Sequence, residues 1–184
     1  MTGTDMTILR SIARRLSGRD DPPAAPQAEA PPPPSAKDRI LATVAPYTMV
    51  HETGVAFVVD EVIRLCRDEV PGVIVECGVW RGGASLAALL AQRETFGRVL
   101  KPVYLLDSFE GLPPVTEKDG PLAAQWQSGA DVERFMDNCR AAEDECRALM
   151  QRHGFGPDEA VIVKGWFSET LPGVGERTRA TGIA

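Results

Sequence analysis

Apolar positions along this chain alternate between two spacings. Short contiguous runs, Val73 to Cys77 (VIVEC), Val103 to Asp107 (VYLLD) and Ala160 to Gly165 (AVIVKG), predict buried strands. Elsewhere the spacing lengthens to helical threes and fours. Ile40, Leu41 and Val44 predict one helix, with Ser35 placed to cap it. Val55, Val58, Val59, Val62, Ile63 and Cys66 predict a second, ended by Pro71 and Gly72. Ser85 to Leu90 open a third. Val132, Phe135, Met136, Cys139, Cys146 and Leu149 suggest a long helix from about Asp131 to His153. From Val73 onward the order is β-α-β-α-β. Apolar strands separated by helices predict an α/β fold, a doubly wound parallel sheet with its ligand crevice at the carboxyl ends of the strands.

The first 35 residues lack this regularity. Ile8, Leu9, Ile12, Ala13 and Leu16 share a helical face among Arg10, Arg14 and Arg15, a short basic amphipathic helix. Asp20 to Ser35 is rich in proline and alanine and predicts an extended linker. Residues 1–35 therefore read as a leader and 36–184 as the folded unit. A solvated leader is the favoured reading, contact with a partner or membrane surface the lesser one. With 184 residues, 43% of them hydrophobic, and net charge −6, the chain has material for one core, and its acidic balance argues against a nucleic-acid surface. No run approaches the roughly 20 apolar residues of a spanning helix, and no secretory core opens the chain, so a cytoplasmic location is expected. Cys66, Cys77, Cys139 and Cys146 form no CxxC pair and have no histidine at ligand spacing. They are expected as buried or half-buried free thiols, with no metal among them.

The turn after the first strand carries the candidate chemistry. Gly78 to Ser85, GVWRGGAS, matches the glycines and serine of a triphosphate loop but has Ala84 where lysine must reach the phosphates. Trp80 occupies the position where a dinucleotide loop needs its second glycine. A ligand with an amino acid end and a ribose, and no phosphate, fits better, and S-adenosylmethionine has those parts. Glu76 would take its ammonium, the amides from Gly78 to Ser85 its carboxylate, and Asp107 both ribose hydroxyls. Either acid alone reads equally well as a solvated loop carboxylate; together, on successive strands, they favour a site.

Four segments in order, YTMV (Tyr47 to Val50), ECGVWRGGAS (Glu76 to Ser85), LLDSFEGLP (Leu105 to Pro113) and KGWFSETLP (Lys164 to Pro172), resemble the motifs of the macrocin-type sugar O-methyltransferases, in the N-terminal portion of that family. The resemblance implies a Rossmann-like methyltransferase fold, S-adenosylmethionine as methyl donor, a sugar hydroxyl of a natural product or glycoconjugate as acceptor, and a divalent metal, usually magnesium, beside the acceptor. It places Thr48 and Met49 against the cofactor, Glu76, Gly78, Gly82 and Ser85 around its methionine end, Asp107 and Ser108 at the ribose, and Trp166 and Phe167 beside the adenine. A hydrophobic plug is the plain alternative for the last pair. Arg81 reads as a brace for the loop, His153 as a helix cap complementing the dipole, and His51 as a weak acceptor-side candidate.

The sequence stops where the family would begin its fourth strand, which suggests a chain truncated after the third. No catalytic base or metal ligand is therefore named, and the first strand is expected at an exposed sheet edge. A homo-oligomer is expected of the full-length family. The competing readings are a non-catalytic cofactor-binding or partner-docking remnant and, more weakly, an NAD-dependent sugar enzyme.

Overall fold

The computed structural model describes residues 32–127 and 139–184. The amphipathic leader, the linker up to residue 31, and Val132, Phe135 and Met136 of the expected long helix lie outside the described residues. Ser35 caps helix α1 (Ala36–Val44) through a reciprocal capping box with Asp38, as its position before an apolar repeat foretells. A 3-10 turn (Ala45–Tyr47) leads to α2 (Glu52–Arg67), which buries Val55, Val59, Val62 and Cys66. That helix stops at Asp68, ahead of Pro71 and Gly72, because Glu69 turns left-handed at φ 52°.

Strand β1 (Ile74–Cys77) is followed by α3 (Gly83–Phe96), β2 (Val103–Asp107), a 3-10 turn (Glu117–Asp119), α4 (Gly120–Gln127), α5 (Glu143–Arg152), β3 (Ala160–Lys164) and α6 (Phe167–Thr178). The strands form a parallel sheet in the order β1-β2-β3. Val73 also bridges in parallel to Ile183, with Val73 N–H bonded to Gly182 O at 3.1 Å and Ala184 N–H to Val73 O at 2.9 Å. Beyond that bridge, β1 is an edge strand among the described residues. Its last residue, Cys77, is exposed, against the expectation of a buried or half-buried thiol, whereas Cys66 and Cys146 are buried and Cys139 is half-buried.

Two helical expectations change. The described part of the long helix is α5 alone, because residues 139–142 are not helical and Ala142 is its extended N-cap. Helix α6 goes unannounced by the hydrophobic pattern, since Pro172, Gly173 and Gly175 read as breakers yet lie inside it.

Helix α3 is buried on every side from Gly83 to Gln92. It packs against α1, α2 and β2, and its alanines let those elements come close. Gln92 is the polar exception. Its Oε1 accepts from Leu100 N–H at 2.9 Å and Lys101 N–H at 2.8 Å, and its Nε2 donates to Lys101 O at 3.1 Å and Ala88 O at 3.3 Å. One amide thus substitutes for the backbone partners that the loop into β2 lacks. Gln92→Leu keeps the volume and strands those groups, and is expected to destabilise the chain by about 3 kcal/mol. Denaturant unfolding should show a lower midpoint at unchanged slope.

Candidate functional site

The parallel register aligns Cys77 with Leu106 and Asp107 with Lys164, so the turns after the three strands leave the sheet together. Gly78 N–H bonds to Leu106 O at 2.8 Å and Gly165 N–H to Asp107 O at 2.9 Å, which draws the turns after β1 and β3 onto the end of β2. Between them lies a cavity of about 230 Å³ lined by Met49, Gly78, Trp80, Asp107, Ser108, Gly111, Leu112, Pro113, Cys139, Gly165, Trp166 and Phe167.

Of the residues singled out in the sequence, Met49, Gly78, Asp107, Ser108, Trp166 and Phe167 line this cavity; Thr48, Glu76, Gly82 and Ser85 do not. Thr48 borders a separate hollow of about 290 Å³ with Leu41, Val44, Val50 and Val55. Gly82 is a packing residue. At φ 88° it takes a conformation that L side chains rarely adopt, and a Cβ there would stand 2.8 Å from Cys146 Sγ. Gly83 is equally constrained, since its Cβ would stand 2.5 Å from the Tyr47 carbonyl oxygen. Gly78, at φ 86°, has open space where its side chain would be, which leaves the backbone approachable.

Ser85 is buried and donates to Glu76 Oε2. Burial pushes the Glu76 carboxyl above its ordinary value, the Ser85 hydrogen bond opposes that, and the charge of Asp107 adds to it. No ion pair among the described residues compensates Glu76.

Asp107 does not hold its oxygens free for two ribose hydroxyls. Oδ2 accepts from Val79 N–H at 2.8 Å and Trp80 N–H at 3.0 Å, and Oδ1 from Phe109 N–H at 2.8 Å. Ser108 Oγ accepts from Glu110 N–H at 3.2 Å, within the same turn.

Arg81 acts as the expected brace. Its guanidinium lies 5.6 Å from the centroids of both the Tyr47 and Trp80 rings and 3.4 Å from Glu145. His153 is the C-cap of α5, and burial, then the charges of Arg93 and Arg152, lower its pKa and so disfavour the cation that would complement the dipole. His51 caps α2, accepting from Thr53 N–H, and is exposed. Among the described residues no group of three His, Cys, Asp or Glu could hold a metal ion. The sequence reading missed Trp80 as a wall of the cavity, having weighed it only as an obstacle to a dinucleotide.

Comparison with known proteins gives consistent matches. The family model for macrocin-O-methyltransferase (TylF) matches residues 13–180. A curated 8-demethyl-8-(2,3-dimethoxy-alpha-L-rhamnosyl)-tetracenomycin-C 4'-O-methyltransferase of Streptomyces olivaceus is 35% identical over 115 residues, 58% of this chain and 39% of that protein. Mycinamicin III 3''-O-methyltransferase of Micromonospora griseorubida is 33% identical over 114 residues, 58% of this chain and 41% of that protein. The solved structure of the O-methyltransferase NovP superposes with a TM-score of 0.57 at 31% identity, over 68% of this chain and 50% of that one. The chain thus spans about two-fifths of the length of these curated relatives.

The Glu76 environment yields a pH-dependent expectation. A carboxyl whose folded pKa is raised favours the fold fully below its unfolded value near 4.5, and that contribution is lost as pH rises through the folded value. At pH 8, above the unfolded value, the raised carboxyl weighs against folding. Glu76→Gln removes the titrating group and should raise the denaturation midpoint at pH 8 but not at pH 4. An equal midpoint change at both pH values would show that burial of the charge is not the cause.

Proposed function

Because the chain belongs to the macrocin-O-methyltransferase family, we propose that its crevice binds S-adenosylmethionine and that residues 36–184 form the donor-binding half of an enzyme methylating a sugar hydroxyl. The observation that carries this reading is the convergence of Gly78, Asp107 and Trp166, from the ends of three parallel strands, on one cavity.

The residues fit the cofactor by charge and shape. Glu76 stands outside the cavity lining, at the start of the turn, and its charge, near that of Asp107 and without a cationic partner among the described residues, favours a cationic ammonium on the turn side of the crevice. The open face of Gly78 suits the close approach of a carboxylate to backbone amides. Trp166 and Phe167 offer flat faces to adenine, and Asp107 and Ser108 border the ribose. Thr48, Gly82 and Ser85 serve from outside the cavity, by packing against the turn or bonding to Glu76. Once bound, the cofactor supplies a methyl group on an electrophilic sulfonium. The chain's own residues bind and orient that donor and wall it from water, which concentrates their contribution in proximity. Met49 and Leu112 are exposed at the cavity and give an acceptor an apolar rim.

The named relatives methylate glycosylated natural products, so a small sugar-containing acceptor is the proposed partner. The metal implied by the resemblance has no ligand set among the described residues. No helix among them is long and apolar enough to cross a membrane. A cytoplasmic location is part of the proposal, in keeping with the family.

Calorimetric titration tests the reading. S-adenosylmethionine and S-adenosylhomocysteine should each bind one site and NAD should not, and Trp166→Ala should weaken both by about tenfold. Binding of NAD in preference to the S-adenosyl ligands would overturn it.

A further inference from the structure

An acid ending the second strand of such a sheet is expected to receive ribose hydroxyls, yet Asp107 is already occupied. A carboxylate offers about four acceptor positions. The N–H groups of Val79, Trp80 and Phe109 take three of them.

Two of these donors are unusual. Trp80 and Phe109 are bulky side chains on left-handed backbone, at φ 49° and 58°. Such residues persist there only where the surroundings over-determine them. Asp107 bonds to both. The indole nitrogen of Trp80 is buried without a hydrogen-bond partner, so the ring is held in the cavity wall by packing and by the Arg81 guanidinium 5.6 Å from its centroid, with no hydrogen bond at its far end. Phe109 is buried, within the turn whose Ser108 and Gly111 form another part of that wall.

We propose that Asp107 is a positioning residue whose carboxylate holds Trp80 and Phe109 in left-handed backbone, so shaping the crevice for an S-adenosyl ligand, with at most one contact to a ribose hydroxyl. This rests on the reading that the crevice binds such a ligand. Removing the carboxylate therefore weakens a ligand that has no ribose hydroxyls at all.

The test is a cycle of two chains and two ligands, the unsubstituted chain and Asp107→Ala against S-adenosylhomocysteine and its 2′,3′-dideoxy analogue. Asp107→Ala should lower affinity for S-adenosylhomocysteine by about 30-fold, the scale of a lost charge-assisted contact. The dideoxy analogue should retain more than half of that loss on a logarithmic scale; retaining less than half overturns the proposal and returns Asp107 to the ribose.

Asp107→Asn supplies a ligand-free arm if the alanine chain fails to fold. In it the Trp80 indole N–H resonance, identified by its loss in Trp80→Phe, should move. The Val79, Trp80 and Phe109 amides should exchange faster, while those of Leu100 and Lys101, held by Gln92, keep their protection. An unmoved indole and unchanged exchange would overturn the proposal. Failure of the unsubstituted chain to bind S-adenosylhomocysteine would instead refute the functional reading, and the ligand-free arm would still decide the role of Asp107.

Discussion

A short turn held by two carboxylates organises the carboxyl end of this sheet. Gly78 to Gly82 must reverse the chain between β1 and a helix buried on every side, and within it Gly82 N–H bonds to Val79 O at 2.7 Å. Asp107, from the neighbouring strand, takes the amides of Val79 and Trp80, and Glu76, from the strand before the turn, takes the hydroxyl of Ser85 in the first turn of the helix. The two acids repel one another, which is part of why Glu76 resists ionisation. The amide and hydroxyl donors around them offset that repulsion. Charge that reads in the sequence as ligand chemistry is, in the fold, first a means of closing a loop.

The helix that follows permits little adjustment. Gly82 meets Cys146 and Met150, and Gly83 meets the Tyr47 backbone, at separations no side chain could share. Near its other end, Gln92 fastens the entry to β2. A helix fixed at both ends and surrounded by core transmits the position of the turn rigidly, as a site built on regular elements requires.

The strands and the first two helices were legible because local periodicity suffices for them: VYLLD is a buried strand on any reading, and Ser35 followed by Asp38 is a cap written in four residues. The location of the crevice was legible from the fold class, and Met49, Gly78, Asp107, Ser108, Trp166 and Phe167 do meet there. What the sequence hid was non-local. The partners of Asp107 on the turn lie 27 and 28 residues away in sequence, and no pattern announces that a tryptophan will adopt a left-handed backbone to meet it. Helix α6 was hidden for the opposite reason, because Pro172 and two glycines speak against a helix that tertiary packing of Val174 and Thr178 sustains. Cys77 is exposed at the last residue of β1, where the strand gives way to the turn, a position that composition does not report.

The contact between Gly82 and α5 has a kinetic corollary. Cys146 is fully buried against that glycine, and burial, with the nearby acids, pushes its thiol up to about 12, so it is both shielded and unreactive while the turn is seated. Cys77, one residue before the turn, stands in solvent. Of these two among the four thiols, an alkylating reagent meets Cys77 at once and must wait for α5 to part from the turn before it meets Cys146. The interval between the modifications of Cys77 and Cys146 is a clock on how often α5 parts from the turn.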